Sequence, residues 1–107
     1  KTSRDFCPIA NVVEANILAG IVNLKPKNYI FNVGTGNRIT LKKLAETIYK
    51  YFKIKSHKQK IIFKGFRKGD IRHSLSDIRN IKKILKYYLS ISFNEGISKT
   101  VKWFKLN

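Results

Sequence analysis

The sequence predicts an α/β fold with its elements in the order helix, strand, helix, strand, helix, helix. Apolar residues recur at helical spacing in the helical stretches. Two short runs rich in β-branched and aromatic residues, at 29–33 and 60–63, read as strands. Two strands cannot make a satisfactory sheet alone, so a partner segment or subunit is expected to cover them.

Residues 1–9 are extended in character, with Phe6 and Ile9 as apolar anchors. Pro8 lacks an amide donor, which restricts this piece to an edge strand or a loop. The helical pattern starts at Asn11, a suitable N-cap, with Glu14 in the favourable first turn. Val13, Ile17 and Ile21 form its inward stripe, broadened by Val12, Leu18 and Val22, and K-P-K-N at 25–28 ends it. After the strand at 29–33, G-T-G-N at 34–37 has half the shape of a dinucleotide-binding fingerprint. Ile39 stands where the third small residue belongs, and residues 56–60 offer no acid for a ribose, so a plain strand-to-helix turn is expected. Thr40 then caps a helix carrying Leu41, Leu44, Ala45, Ile48 and Phe52 on one face. A polar connection at 54–60 holds His57, expected in solvent. Ser74 or Ser76 starts a third helix with Ile78, Ile81, Ile84 and Leu85 inward. Ser92 and Glu95 match a capping box for the last, whose inward residues are Ile97, Val101 and Phe104.

With 107 residues and 43% hydrophobic content, one small domain with a modest core is expected, and wholesale disorder is excluded. No apolar run approaches the length of a membrane span. The single cysteine, Cys7, cannot form an internal disulfide, which fits a reducing cytoplasm. The chain starts at Lys1 and contains no Met, so it is expected to begin inside a longer reading frame or to have been processed. A net charge of +17 raises nucleic-acid binding. However, Lys, Ile and Asn fill 42 of the 107 positions, and the lysines lie on every predicted element rather than on one face. Drift in an AT-rich genome explains that distribution better, so a nucleic-acid partner is not expected.

Polar chemistry concentrates in G-F-R-K-G-D-I-R-H-S at residues 65–74. Around the turn glycine Gly69 it sets Arg67, Asp70, Arg72 and His73, able to offer guanidinium forks to a phosphate and a carboxylate to a hydroxyl pair. Arg4 and Arg67 are two of only five arginines among 23 basic residues, which suggests a need for the planar fork; Arg38 and Arg79 are kept without an evident role. No catalytic or metal-binding set is complete. Asp5 reads as a structural carboxylate and Asp77 as a helix-dipole partner. His73 reads as a packing histidine held by a hydrogen bond rather than a proton carrier.

Several motifs together resemble one family. R-D-F-C at 4–7, N-V-V-E-A-N-I-L-A at 11–19, Y-I-F-N-V-G-T-G at 29–36 and R-I-T-L at 38–41 follow its template. R-K-G-D-I-R-H-S-L-S-D-I at 67–78, S-F-N-E-G-I at 92–97 and the closing V-K-W-F complete it. The sequence resembles the C-terminal part of the extended short-chain dehydrogenase/reductase nucleotide-sugar epimerases. It is most similar to bacterial UDP-N-acetylglucosamine 4-epimerases, with UDP-glucose 4-epimerases next. The resemblance implies an α/β fold, the substrate-binding portion of an NAD(P)-binding Rossmann-fold superfamily, whose N-terminal Rossmann core is not among these residues. Residues 1–27 would pack on that core and 28–107 would form the substrate-binding subdomain.

The resemblance further implies that Arg4 and Arg67 contact the diphosphate of a UDP-sugar and Asp70 its ribose, with Arg72 and His73 supporting the loop. The family reaction is NAD-dependent epimerisation at the sugar C4, interconverting UDP-GlcNAc and UDP-GalNAc or UDP-Glc and UDP-Gal. NAD and a Y-x-x-x-K base are expected on the upstream domain, so no catalytic residue is assigned here and these 107 residues alone are expected to be inactive. The intact enzyme is expected in the cytoplasm, as a homodimer, in polysaccharide biosynthesis. Pro8 and Ala10 replace the family's usual Tyr and Asp, and Pro8 is expected to distort the strand that holds Arg4. The alternatives are a basic nucleic-acid-binding module, a portion of a related nucleotide-sugar dehydratase, and the remnant of a decayed gene.

Overall fold

A computed structural model describes residues 2–53, 61–65 and 67–107. Its elements are β1 (Ser3–Arg4), α1 (Ile9–Ile21), β2 (Ile39–Thr40), α2 (Leu41–Phe52), α3 (Arg79–Leu85) and α4 (Phe93–Leu106). The strands pair antiparallel, Ser3 against Thr40 and Arg4 against Ile39. Ser3 also makes an isolated parallel bridge to His73. Strand β1 is thus flanked on one edge by β2 and on the other by the segment carrying His73. The connection 54–60, with His57 and the start of the second expected strand, lies outside the described residues.

The expected strands at 29–33 and 61–63 do not form ladders among the described residues. The first keeps the in-and-out alternation of a strand: Phe31 and Val33 are half-buried against the core, while Ile30 is 89% exposed. The pattern is right for a sheet, but no described strand lies beside it. Ile62 and Phe63 are likewise mostly exposed.

Helix α1 begins at Ile9, two residues before the predicted cap. Pro8, in extended geometry, stands at its N-cap, and the Asn11 amide donates to the Pro8 carbonyl at 3.0 Å. Asn11 therefore lies inside the helix and is fully buried, and Glu14 is beyond the first turn. The inward stripe also differs from the predicted one. Ala15 is buried, with Leu18 and Val22 packed against the same cluster, whereas Ile9, Val13, Ile17 and Ile21 are all at least half exposed. The reason is Asn11: its amide satisfies the backbone at 90–91 and turns that side of the helix inward. The distortion expected from Pro8 is also absent. Strand β1 ends at Arg4, and the proline ring instead rests on Gly96 of α4, where a Cβ would lie 2.6 Å from Pro8 Cγ.

Helix α2 starts where predicted, with Thr40 Oγ1 accepting from the Lys43 amide at 3.1 Å. Its one fully buried residue is Thr47, whose hydroxyl donates to the Lys43 carbonyl; Leu41 stays exposed. The third helix starts at Arg79, not at Ser74 or Ser76. Those serines are held in extended segments: the Ser74 amide donates to the Ser3 carbonyl and the Ser76 amide to Asp5. Ile78, Ile81 and Leu85 are buried as predicted, and with Ala15 and Tyr87 they form the core. Ser92 caps α4 through the Glu95 amide at 3.1 Å, and Val101 is buried. Phe104 is 61% exposed rather than inward, beside Trp103.

Candidate phosphate-binding site

The site forms where β1 meets the segment 67–76. Gly69 has φ +82° and the Asp70 amide donates to the Arg67 carbonyl at 3.1 Å, closing a turn that needs glycine at that position. The turn returns the chain alongside β1. There the Ser3 amide donates to the Arg72 carbonyl at 2.9 Å and the Ser74 amide to the Ser3 carbonyl at 3.2 Å. Ser3 is 2% exposed, and its hydroxyl meets His73 Nδ1 at 2.6 Å.

This pairing gathers the residues singled out in the sequence. Arg4 Nη2 donates to Asp70 Oδ1 at 3.2 Å, while its Nη1 donates to the Ser3 and Arg72 carbonyls at 2.8 and 3.2 Å. The Arg67 guanidinium lies 3.9 Å from Asp70 Oδ2 and is otherwise open to solvent. The Ile71 amide also donates to Asp70 Oδ1, at 3.0 Å. One carboxylate is thus flanked by two guanidinium groups, one three residues away in sequence and one 66 residues away. Arg4 is held on three oxygens and cannot swing freely; Arg67 can reach outward. Partial desolvation pushes the His73 imidazole below its ordinary pKa, and Arg38, the amino terminus, Arg72 and Arg4 add to the effect. The surroundings therefore favour a neutral ring beside a concentration of positive charge.

Two arginines without an evident role in the sequence gain one. Arg38 bears on His73 electrostatically, and Arg79 pairs with Asp77 at 2.7 Å. Asp77 also accepts from the Arg79 amide at 3.1 Å, which meets its expected place at a helix start. The Arg79 side chain and amide hold its pKa at about 2.

Asp5 is structural, as expected, and its reach exceeds what the sequence suggested. Its carboxylate accepts from the Thr35 amide at 3.0 Å, from the Thr35 hydroxyl, from the Gly36 amide at 2.9 Å and from the Ser76 amide at 3.3 Å. Gly34 packs so closely here that a Cβ would lie 2.5 Å from Ser76 Cβ and 2.7 Å from Asp5 Oδ2. The buried Tyr87 hydroxyl donates to the Gly34 carbonyl at 2.8 Å. Burial, with Cys7 and Asp5 nearby, pushes the Tyr87 phenol up to about 12. Sequence reasoning missed Ser3, Thr35 and Tyr87. They act through partners 30 to 70 residues away, and nothing local marks them.

The residues present do not fit a dinucleotide. In a fingerprint loop the backbone amides face a pyrophosphate. Here the Thr35 and Gly36 amides are both spent on Asp5. Tyr49 and Lys53 on and after α2 share the Y-x-x-x-K spacing, yet neither has a hydrogen bond or ion pair to Arg4, Asp70 or His73. Among the described residues no cluster could hold a metal ion, and no helix is long and apolar enough to cross a membrane.

The fold is that of the C-terminal portion of the extended short-chain dehydrogenase/reductase nucleotide-sugar enzymes. More particularly, the chain is similar over nearly its whole length to part of the UDP-sugar 4-epimerases, as its motifs implied. It is 32% identical to a UDP-glucuronate 4-epimerase of Thermodesulfobacterium geofontis, with 98% of this chain and 31% of the relative aligned. The UDP-glucose 4-epimerase of Thermotoga maritima, solved with UDP-glucose, superposes with a TM-score of 0.84 at 31% identity, over 98% of this chain and 32% of that one. The UDP-N-acetylglucosamine 4-epimerase of Methanobrevibacter ruminantium, solved with UDP-N-acetylmuramic acid, gives 0.77 at 30% identity, over 98% and 32%. The chain thus spans about a third of the length of the relatives it matches. No family model matches it.

Proposed function

We propose that these residues form the UDP-sugar-holding portion of an NAD-dependent nucleotide-sugar 4-epimerase. The observation that carries this is the convergence of Arg4 and Arg67 on Asp70 across a glycine turn. In this reading Arg4, fixed by its carbonyl contacts, supplies one fork to the diphosphate, and the solvent-facing Arg67 closes over it. Asp70 keeps acceptor capacity for the ribose hydroxyls while both guanidinium groups lie beside it. Arg72 and His73 support the loop by pairing it to β1. The sugar is UDP-GlcNAc/UDP-GalNAc or UDP-Glc/UDP-Gal.

NAD belongs to the other domain in this reading, since the residues here do not fit it. The outward stripe of Ile9, Val13, Ile17 and Ile21 supports such a neighbour, because four apolar residues stacked on one helix face are left uncovered. Residues 1–27 would pack there and 28–107 hold the nucleotide sugar, in an enzyme that works as a homodimer. The 107 residues alone bind and do not turn over.

The test is UDP titration calorimetry on Arg67→Ala and Lys68→Ala. Arg67→Ala should weaken binding about tenfold or more, on the scale of a lost charge-assisted pair, and Lys68→Ala should leave it unchanged. Equal effects would argue against the assignment, as would epimerisation of UDP-GlcNAc with added NAD by the 107 residues alone.

A further inference from the structure

We propose that Asp5 is the positioning residue of the phosphate site: without touching ligand, it locks Arg4 and the Asp70 turn into the one arrangement in which both can act. The inference rests on the UDP-binding reading above. Its basis is that a single carboxylate joins three separate pieces of chain. Asp5 directly follows Arg4 on the polypeptide. Its oxygens take the amides of Thr35 and Gly36 from the loop before β2, and the amide of Ser76 from the segment that follows His73.

Those three pieces are the ones whose relative placement sets the site. The loop 34–36 leads into β2, which pairs with Arg4 through Ile39. The segment ending at Ser76 carries Asp70, Arg72 and His73. Ser3 holds that segment on the other side of Arg4, through the Arg72 carbonyl and the Ser74 amide. Asp5 and Ser3 therefore grip the 72–76 segment on either side of the arginine, one by a charge and one by backbone bonds. The arginine fork has a narrow geometric tolerance for its partners, so a small slide of this segment separates Arg4 from Asp70.

Asp5→Asn keeps the shape of the side chain. Its NH2 group, however, must face at least one amide donor where an oxygen now accepts. In the fold this loosens the 72–76 segment and leaves the apolar core untouched.

The experiment uses the 107-residue chain and UDP as the probe. Binding is measured by calorimetry for wild type, Asp5→Asn, Arg4→Ala and the double variant, with folding followed by circular dichroism. Asp5→Asn should raise the Kd about tenfold, and should add little in the Arg4→Ala background, because its effect runs through Arg4. Wild-type affinity in Asp5→Asn, or losses that simply add, would overturn the proposal. Should wild type itself not bind UDP, the functional reading fails and amide exchange decides the clamp without ligand. Exchange at Ser74, whose amide bonds to Ser3, should then accelerate about tenfold in Asp5→Asn, and unchanged exchange would overturn it. If Asp5→Asn does not fold, Thr35→Ala, which removes one donor, takes its place under the same criteria.

Discussion

Gly34→Ala gives the sharpest measure of how tightly the site is built. The added methyl lands 2.5 Å from Ser76 Cβ, 2.7 Å from Asp5 Oδ2 and 2.9 Å from Ser76 Oγ. Relaxed carbon–carbon contacts lie at about 3.5–4.0 Å, so Ser76 must retreat by about 1 Å. Overpacking of this kind costs about 1–3 kcal/mol. Moving Ser76 or Asp5 also loosens a hydrogen bond to a charged group, which contributes about 1.5–3 kcal/mol. The two together give roughly 2.5–6 kcal/mol, a large share of the 5–15 kcal/mol typical of a domain. In urea the midpoint should fall by about 2–4 M, taking a slope of about 1.5 kcal/mol/M. The double variant Gly34→Ala/Ser76→Gly removes two of the three contacts and should recover about half of the loss. A Gly34→Ala midpoint within about 0.5 M of wild type would refute the argument. Failure of the second substitution to rescue would show that Ser76 is not the obstacle.

Other expectations follow from the same contacts. The Tyr87 phenol, pushed up to about 12, should make the fold fully stable below its ordinary pKa of 10.0 and progressively less stable as pH rises through 12. The loss is on the order of 3 kcal/mol, and Tyr87→Phe should flatten this alkaline limb while costing about 1–2 kcal/mol at neutral pH, both read from denaturant midpoints across pH 8–12. His73 is depressed below 6.5, so its contribution is fully present above 6.5 and is lost as pH falls through the folded value; thermal melts of His73→Gln should lose less on the acid side than wild type. Asn11 accepts from the Ser90 and Ile91 amides and donates to the Ile91 carbonyl at 2.8 Å. Asn11→Leu leaves those buried groups unpaired and should destabilise by roughly 3–5 kcal/mol in urea unfolding; an unchanged midpoint would contradict that role.

How much could be read in advance follows the range over which each signal acts. Thr40 and Ser92 cap their helices as predicted because a cap is decided within one turn. Gly69 makes its turn and Ile81 and Leu85 enter the core, again from local spacing. The cluster around Asp70 was legible because four of its members share ten residues and the fifth, Arg4, is a rare arginine in a lysine-rich chain. The orientation of α1 was not legible. Periodicity favoured the Val13 stripe, while one buried asparagine, bonded 80 residues away, turned the helix the other way. The strands at 29–33 and 61–63 had the composition of strands, but a ladder needs a partner and none of the described residues forms one with them. Asp5 could be recognised as structural and not as a hub, since its donors lie 30 to 71 residues distant.

The bridge between Ser3 and His73 also governs the order in which the molecule assembles. Closing a loop of 70 residues costs entropy before any contact repays it, and such pairings slow folding. As the chain leaves the ribosome, α1 and α2 have all their own residues long before the turn at Gly69 emerges. Strand β1 must wait, paired only with β2, until that turn arrives to occupy its second edge. The cluster of Arg4 and Asp70 should therefore be among the last features to form. It should also be among the first to open under mild denaturant, with its amides exchanging ahead of those in α1 and α2.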